Sequence, residues 1–272
     1  MIAFLTDFGY IDPYVGICKG VISKIDPQAK VVDLTHGVSP QNLLQASLYL
    51  KASLRQFPKD TIFLAVVDPG VGTKREEIIV KTKDYSFVGP DNGLFTQVYK
   101  EYPDFICYKI DWDLLKKALN PFDIEKASPS NTFHARDIFA PAAALLSLGI
   151  DIKKIAIEKK GVEFLEIPSV KKENSTIIGQ IIYFDHFGNG ITNITKKDIV
   201  EYLDKKNHEI FLFIKDKNLQ IPFKNTYLEV EKHKPLCLIG SFDHLEISVN
   251  CGNAKKQLGL YEGQEIILHT MA

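Results

Sequence analysis

The sequence predicts an α/β protein in two parts: a first domain with a mostly parallel sheet, residues 1–168, and a smaller all-β domain, residues 169–272. Two observations carry this. Up to about residue 150, short β-branched runs alternate with helical patterns. Beyond residue 176 the chain is almost entirely period-2 or continuous apolar runs separated by turns, the pattern of an antiparallel barrel or sandwich.

In chain order, IAFLTD is the first strand, and a helix follows from Asp12, with Pro13 at its first position. KVVDLT is the second strand, followed by a helix capped by Ser39 before Pro40. TIFLAVVD is the third and runs into a glycine loop. RDIFAPAAALLSLG is a further helix, with Asp137 as its cap, Pro141 in an early turn and Gly149 as its stop. The charged stretch around Pro168 marks the boundary, near Ser169. TIIGQIIYFD, HEIFLFIK, LQIPF, TYLEVE, PLCLIG, LEISVN and QEIILHT are the later strands, with one short helix at 197–203.

Composition narrows the function. The 272 residues carry 33 basic and 34 acidic side chains, with no long block of either sign, so a nucleic-acid backbone is not the expected partner. No stretch reaches the roughly 18 apolar residues a membrane helix needs. The start, MIAFLTDFG, lacks the features of a signal peptide. Cys18, Cys107, Cys237 and Cys251 show no CxxC spacing, which fits reduced thiols, and a cytoplasmic protein is expected.

Ligands of an open parallel sheet bind where strands end and helices begin. Three such ends carry polar groups: Thr6 and Asp7, Thr35 and His36, and Asp68. Each is equally a turn former or helix cap when taken alone; the convergence of three points to a site. In VVDPGVGTKRE, Asp68 meets Gly70 and Gly72, and Arg75 follows; the loop leads into the strand-like EEIIVKT, so it is not a phosphate loop. GPDNG at 89–93 either serves the same pocket or closes a hairpin. NTFHARDIFAP sets His134 ahead of a helix beside Arg136 and Asp137. DHFGNGITN at 185–193 is either a ring-stacking loop or a glycine-rich hairpin, and SVNCGNAKK at 248–256 offers the same choice. Cys18 falls on a core-facing helical position, and no GxSxG elbow occurs.

Five motifs, TDFG (6–9), VDPGVGT (67–73), PDNG (90–93), FHARDIFAP (133–141) and FGNGITNI (187–194), give the chain a resemblance to the S-adenosyl-L-methionine hydroxide adenosyltransferases, relatives of the fluorinase and chlorinase. The resemblance spans essentially the whole chain. It implies a Rossmann-like N-terminal domain, a C-terminal antiparallel β-barrel, a homotrimer with sites between subunits, and no metal or cofactor. It also implies hydrolysis of S-adenosyl-L-methionine to adenosine and L-methionine by a water-derived hydroxide. Asp68, Arg75 and His134 are the implied catalytic set, and Asp7 the ribose-hydroxyl ligand. Asp185 and Ser241 would hold the methionine end, with Phe187, Asn189, Asn250 and Cys251 around the adenine.

Three departures from the halogenating relatives stand out. Ala135 replaces their serine, which argues against halide chemistry, and Phe242 stands where the fluorinase has an arginine. The loop at Asp185 is also one residue shorter. Competing readings are a halide-using adenosyltransferase, a divalent-metal hydrolase built on the strand-end carboxylates and His36, and a non-catalytic adenosine or S-adenosylmethionine binder.

Overall fold

A computed structural model describes residues 1–124, 128–173, 176–202 and 209–271. The chain divides into two compact units, Met1–Leu165 and Glu166–Ala272. No helix among the described residues is long and apolar enough to cross a membrane.

The first unit runs β1 (Ile2–Thr6), α1 (Tyr14–Ile25), β2 (Val31–Thr35), α2 (Leu43–Ser53), β3 (Ile62–Val66), β4 (Glu77–Lys81), β5 (Ser86–Pro90), α3 (Thr96–Glu101), β6 (Ile106–Ile110), α4 (Trp112–Leu119), α5 (Ala140–Ser147) and β7 (Ala156–Lys159). Its seven strands lie in the order β2-β1-β3-β5-β4-β6-β7. The first four pair in parallel, and β4 and β7 are reversed, giving a mixed, mostly parallel sheet. Alternation along β1 shows why the sheet is buried on both sides. Ile2 and Phe4 pack into a core with α1 and α5, while Ala3 and Leu5 enter a second core with α2 and α3.

The helix starts differ from the sequence expectation. α1 has Pro13 at its N-cap position, one residue later than an Asp12 cap would give, and no side chain caps it. α2 is capped by Asn42, whose side chain accepts from the Gln45 amide; Ser39 instead accepts at its carbonyl from Asn42 N in the turn before. Asp137 does not cap α5 either: it sits within a π-helical turn, Ala135–Phe139, that precedes α5. Gly149, at φ +80, does end α5, with the Ile150 amide bonding back to Leu145 O.

The second unit contains β8 (Lys171–Glu173), β9 (Thr176–Phe184), β10 (Gly190–Thr195), α6 (Lys196–Tyr202), β11 (Glu209–Ile214), β12 (Leu219–Pro222), β13 (Pro235–Ile239), β14 (His244–Val249), α7 (Ala254–Gln257) and β15 (Glu265–Met271). The strands pair antiparallel in the order β12-β11-β15-β9-β10-β14-β13, with β8 beside β9. A bridge from Phe223 to Cys237 and the bond from Lys224 N to Cys237 O bring the two ends together, so the sheet is a nearly closed barrel. Inward-facing Ile177, Ile181, Leu212, Ile247 and Leu268 fill it.

TYLEVE is not a strand. Tyr227–Glu229 forms a 3₁₀ turn, because Thr226 and Glu229 make a reciprocal capping box that fixes the backbone. DHFGNGITN is the hairpin of its two readings: it turns between β9 and β10, and GITNIT is strand β10. The expected helix end at 203 lies outside the described residues.

Candidate active site

The chain passes from β1 to β2 on one side and then returns to β3 on the other, so the crevice beyond the ends of β1 and β3 is the switch point of the sheet. A 540 Å³ pocket opens there, lined by Asp7 and Phe8 after β1, Val66 and Asp68 at the end of β3, and Phe133 and His134 before α5.

Each wall is fixed by local bonds. Thr6 Oγ1 accepts from Phe8 N and shares a 2.7 Å bond with His36 Nδ1, while Gly9 N donates to His36 O. These contacts shape the turn that presents Asp7, whose Oδ2 accepts from Gln41 N at 2.8 Å. His36 itself is 1 % exposed and lies 3.2 Å from Asp33, so it braces the turn from beneath.

The loop after β3 is built for tight folding. Thr73 N and Oγ1 both donate to Gly70 O. Gly72 has φ +75, and a Cβ there would come within 2.3 Å of Asn131 O, so only glycine lets this loop lie against the segment leading to His134. GPDNG neither lines the pocket nor closes a hairpin. It leads from β5 toward α3, and Asn92 Nδ2 donates to Val67 O, steadying the residue before Asp68. Its Asp91 is held by Lys159 Nζ at 2.6 Å and by Glu163 N.

Arg75 ties the site together. Its Nε and Nη2 donate to Asp68 Oδ1 and Oδ2 at 2.9 and 2.5 Å, its Nη1 donates to Glu77 Oε1 at 2.7 Å, and its guanidinium lies over Phe139. Nη2 also lies 2.9 Å from His134 Nδ1. Asp68 and Arg75 side chains are only 6 % and 8 % exposed, which strengthens these contacts. His134 is the N-cap residue just before the π-helical turn, an irregularity common at functional sites, and Asp137 anchors that turn by accepting from Ser130 N and Arg136.

The sequence reading missed Glu77. Its Oε1 lies 3.0 Å from His134 Nδ1 as well as on Arg75. Burial by itself would raise the Glu77 carboxyl, but the His134 contact and the Arg75 charge outweigh it and hold it below the usual carboxylate range. The only signal in the sequence was period 2: Arg75 and Glu77 face the site, while Glu76 points the other way to Lys109 and Lys159.

Neither Cys18 nor Cys107 is a nucleophile here. Burial pushes the Cys18 and Cys107 thiols up to about 12.

In the second unit, Asp185 accepts from Asn189 N and Nδ2 at 2.8 and 2.9 Å, closing a loop whose tip, Phe187, is 71 % exposed. Gly188, at φ +84, lies so close to Asn253 that a Cβ would be 2.2 Å away, and Lys255 N donates to Gly188 O. The Asp185 loop and the Asn250–Lys255 segment are thus one surface. Asn250 is buried and donates from Nδ2 to Val230 O; Cys251 is exposed at φ +54. Ser241 is exposed in the turn between β13 and β14.

The N-terminal domain of the SAM hydroxide adenosyltransferases matches residues 2–156, and their C-terminal domain matches residues 179–267. The chain belongs to the SAM hydroxide adenosyltransferase family. Among the relatives of this family member is an (R)-S-adenosyl-L-methionine hydrolase of Thermus thermophilus, 35 % identical over 97 % of this chain and 98 % of that one. A Methanocaldococcus jannaschii protein of the same name is 34 % identical over 96 % and 92 %. A crystal structure of an uncharacterized conserved protein from Thermotoga maritima, 37 % identical, superposes with a TM-score of 0.87 over 99 % of this SAM hydroxide adenosyltransferase family chain and all of that one.

Proposed function

We propose that the protein hydrolyses S-adenosyl-L-methionine to adenosine and L-methionine, with water as the nucleophile. The observation that carries this reading is that Asp68 and His134, which line the same pocket as Asp7, are linked to each other through Arg75. The relatives named as (R)-S-adenosyl-L-methionine hydrolases support the choice of substrate.

The chemistry asks little of the leaving group. A sulfonium departs with its electron pair as a neutral thioether, so the barrier lies in aligning and partly desolvating water behind the ribose 5′ carbon. In this reading Asp68, fixed by two Arg75 nitrogens, orients the water, and His134 accepts its proton. Asp7 takes the ribose hydroxyls with its carboxylate oxygens. In the second unit, Asp185 and Ser241 serve the methionine end, and Phe187, Asn189, Asn250 and Cys251 serve the adenine. Ala135, beside His134 and 3 % exposed, brings no hydroxyl to a halide. The homotrimer and a cytoplasmic location belong to the same reading; light scattering should give three times the 30.7 kDa chain mass.

Incubation with S-adenosyl-L-methionine in halide-free oxygen-18 water tests the reaction. Adenosine labelled at its 5′ oxygen, with equimolar methionine, is the expected product. Intact substrate with active, ligand-stripped protein overturns the proposal, and 5′-halo-adenosine formed faster in added chloride overturns the choice of nucleophile.

A further inference from the structure

His134 Nδ1 lies between a group that can only donate, Arg75 Nη2 at 2.9 Å, and a group that can only accept when ionised, Glu77 Oε1 at 3.0 Å. One ring nitrogen cannot satisfy both at once. If Nδ1 accepts from Arg75, the neutral imidazole carries its proton on Nε2 and has no lone pair for a water in the pocket. If Nδ1 carries the proton and donates to Glu77, Nε2 is left as a base.

We propose that Glu77 is a positioning residue for hydrolysis: it holds the Nδ1–H form of His134, leaving Nε2 to take the proton of the attacking water. The proposal rests on the hydrolytic reading above. In the step, a water O–H bond breaks as the O–C5′ bond forms and the C5′–S bond breaks; the C–S electron pair stays on sulfur, and the proton goes to Nε2. The positive charge thus leaves the sulfonium and appears on the imidazolium. Arg75, a permanent cation against the same ring, opposes that arrival. Glu77 touches both cations through one oxygen, and Arg75 together with His134 keeps it ionised. The two partners also give Glu77 a reason to be charged where a purely structural acceptor need not be.

Glu77→Gln tests the charge, because the amide keeps one oxygen for Arg75 Nη1 while the negative charge is lost and an N–H donor replaces the second carboxylate oxygen. The expected result is a kcat about 100-fold lower with KM within threefold of the wild type. Combining it with His134→Ala should lower kcat no further than His134→Ala alone. A Glu77→Gln enzyme with wild-type kcat, or a drop that adds in full to that of His134→Ala, overturns the role. Nitrogen-15 NMR of wild-type His134 gives an answer independent of any variant's folding: protonated Nδ1 and bare Nε2 are expected, and the opposite tautomer overturns the proposal. Failure of the hydrolytic reading is separate, since then the wild-type protein itself forms no adenosine from S-adenosyl-L-methionine.

Discussion

Arg75 grips Asp68 with two nitrogens, Nε on Oδ1 at 2.9 Å and Nη2 on Oδ2 at 2.5 Å. Both carboxylate oxygens are therefore committed to one plane, and the carboxylate faces the pocket in a single orientation. Asp68→Asn keeps the size but weakens the ionic fork. Turnover should fall at least about 100-fold, with adenosine affinity changed far less. Steady-state kinetics and calorimetry read the two quantities; an equal loss in both would make Asp68 a ligand anchor.

Gly72 should tolerate no side chain. Alanine at φ +75 costs about 1–3 kcal/mol from backbone strain, and its Cβ would also strike Asn131 O. Gly72→Ala is expected to melt earlier and to lose activity, because the loop carrying Asp68 and the segment carrying His134 must separate. An alanine variant with wild-type melting and kcat would show that the two segments need not touch.

Asn92 supports the site from outside the pocket. Asn92→Ala leaves Val67 O without that partner, a loss of about 1–3 kcal/mol. Denaturant unfolding should show the loss, and kcat should fall more than KM rises, since Val67 precedes Asp68.

Acid should weaken the fold in two steps through the pair beneath Asp7. Burial pushes His36 below its ordinary value of 6.5, with Asp33 pulling it back only in part. For Asp33, burial acts upward, but the Lys19 bond and the His36 ring 3.2 Å away prevail and hold it below its ordinary 3.8. Both groups are less basic folded than unfolded, so their contribution is complete above pH 6.5 and is lost as pH falls, His36 first and Asp33 later. Melting temperature should be level above pH 7 and decline below 6.5. His36→Gln should remove the first part of that decline; an unchanged profile would reassign it to another group.

Chelation should leave turnover unaltered, since the proposed reaction needs no Lewis acid for a sulfonium to depart. Loss of activity in EDTA, restored by a divalent ion, would move the chemistry to a metal-assisted hydrolysis.

Local patterning made most of the fold legible. IAFLTD, KVVDLT and TIFLAVVD are strands because their β-branched and apolar runs fit a sheet covered on both faces, and the period-2 runs after 176 became the barrel. The errors came where several residues were equally able to cap or turn. Asn42 displaced Ser39, and the Thr226–Glu229 capping box overrode the strand-like TYLEVE. In the site, Asp7, Asp68 and His134 were visible at strand and helix ends, and the pocket gathers them. Glu77 was not, because an acid at the start of EEIIVK looks like any solvated strand end until Arg75 and His134 are seen against it.

The alternation of Arg75, Glu76 and Glu77 also sets what the gene can change. Replacing Lys74, whose side chain is solvated, leaves the phase of the strand intact. Inserting a single codon between Glu77 and Ile78 shifts that phase by one. The carboxylate now shared by Lys109 and Lys159 would then turn toward His134, and the one on His134 would turn toward the lysines. Drift in this stretch should therefore show as substitutions at constant length, while length variation collects elsewhere.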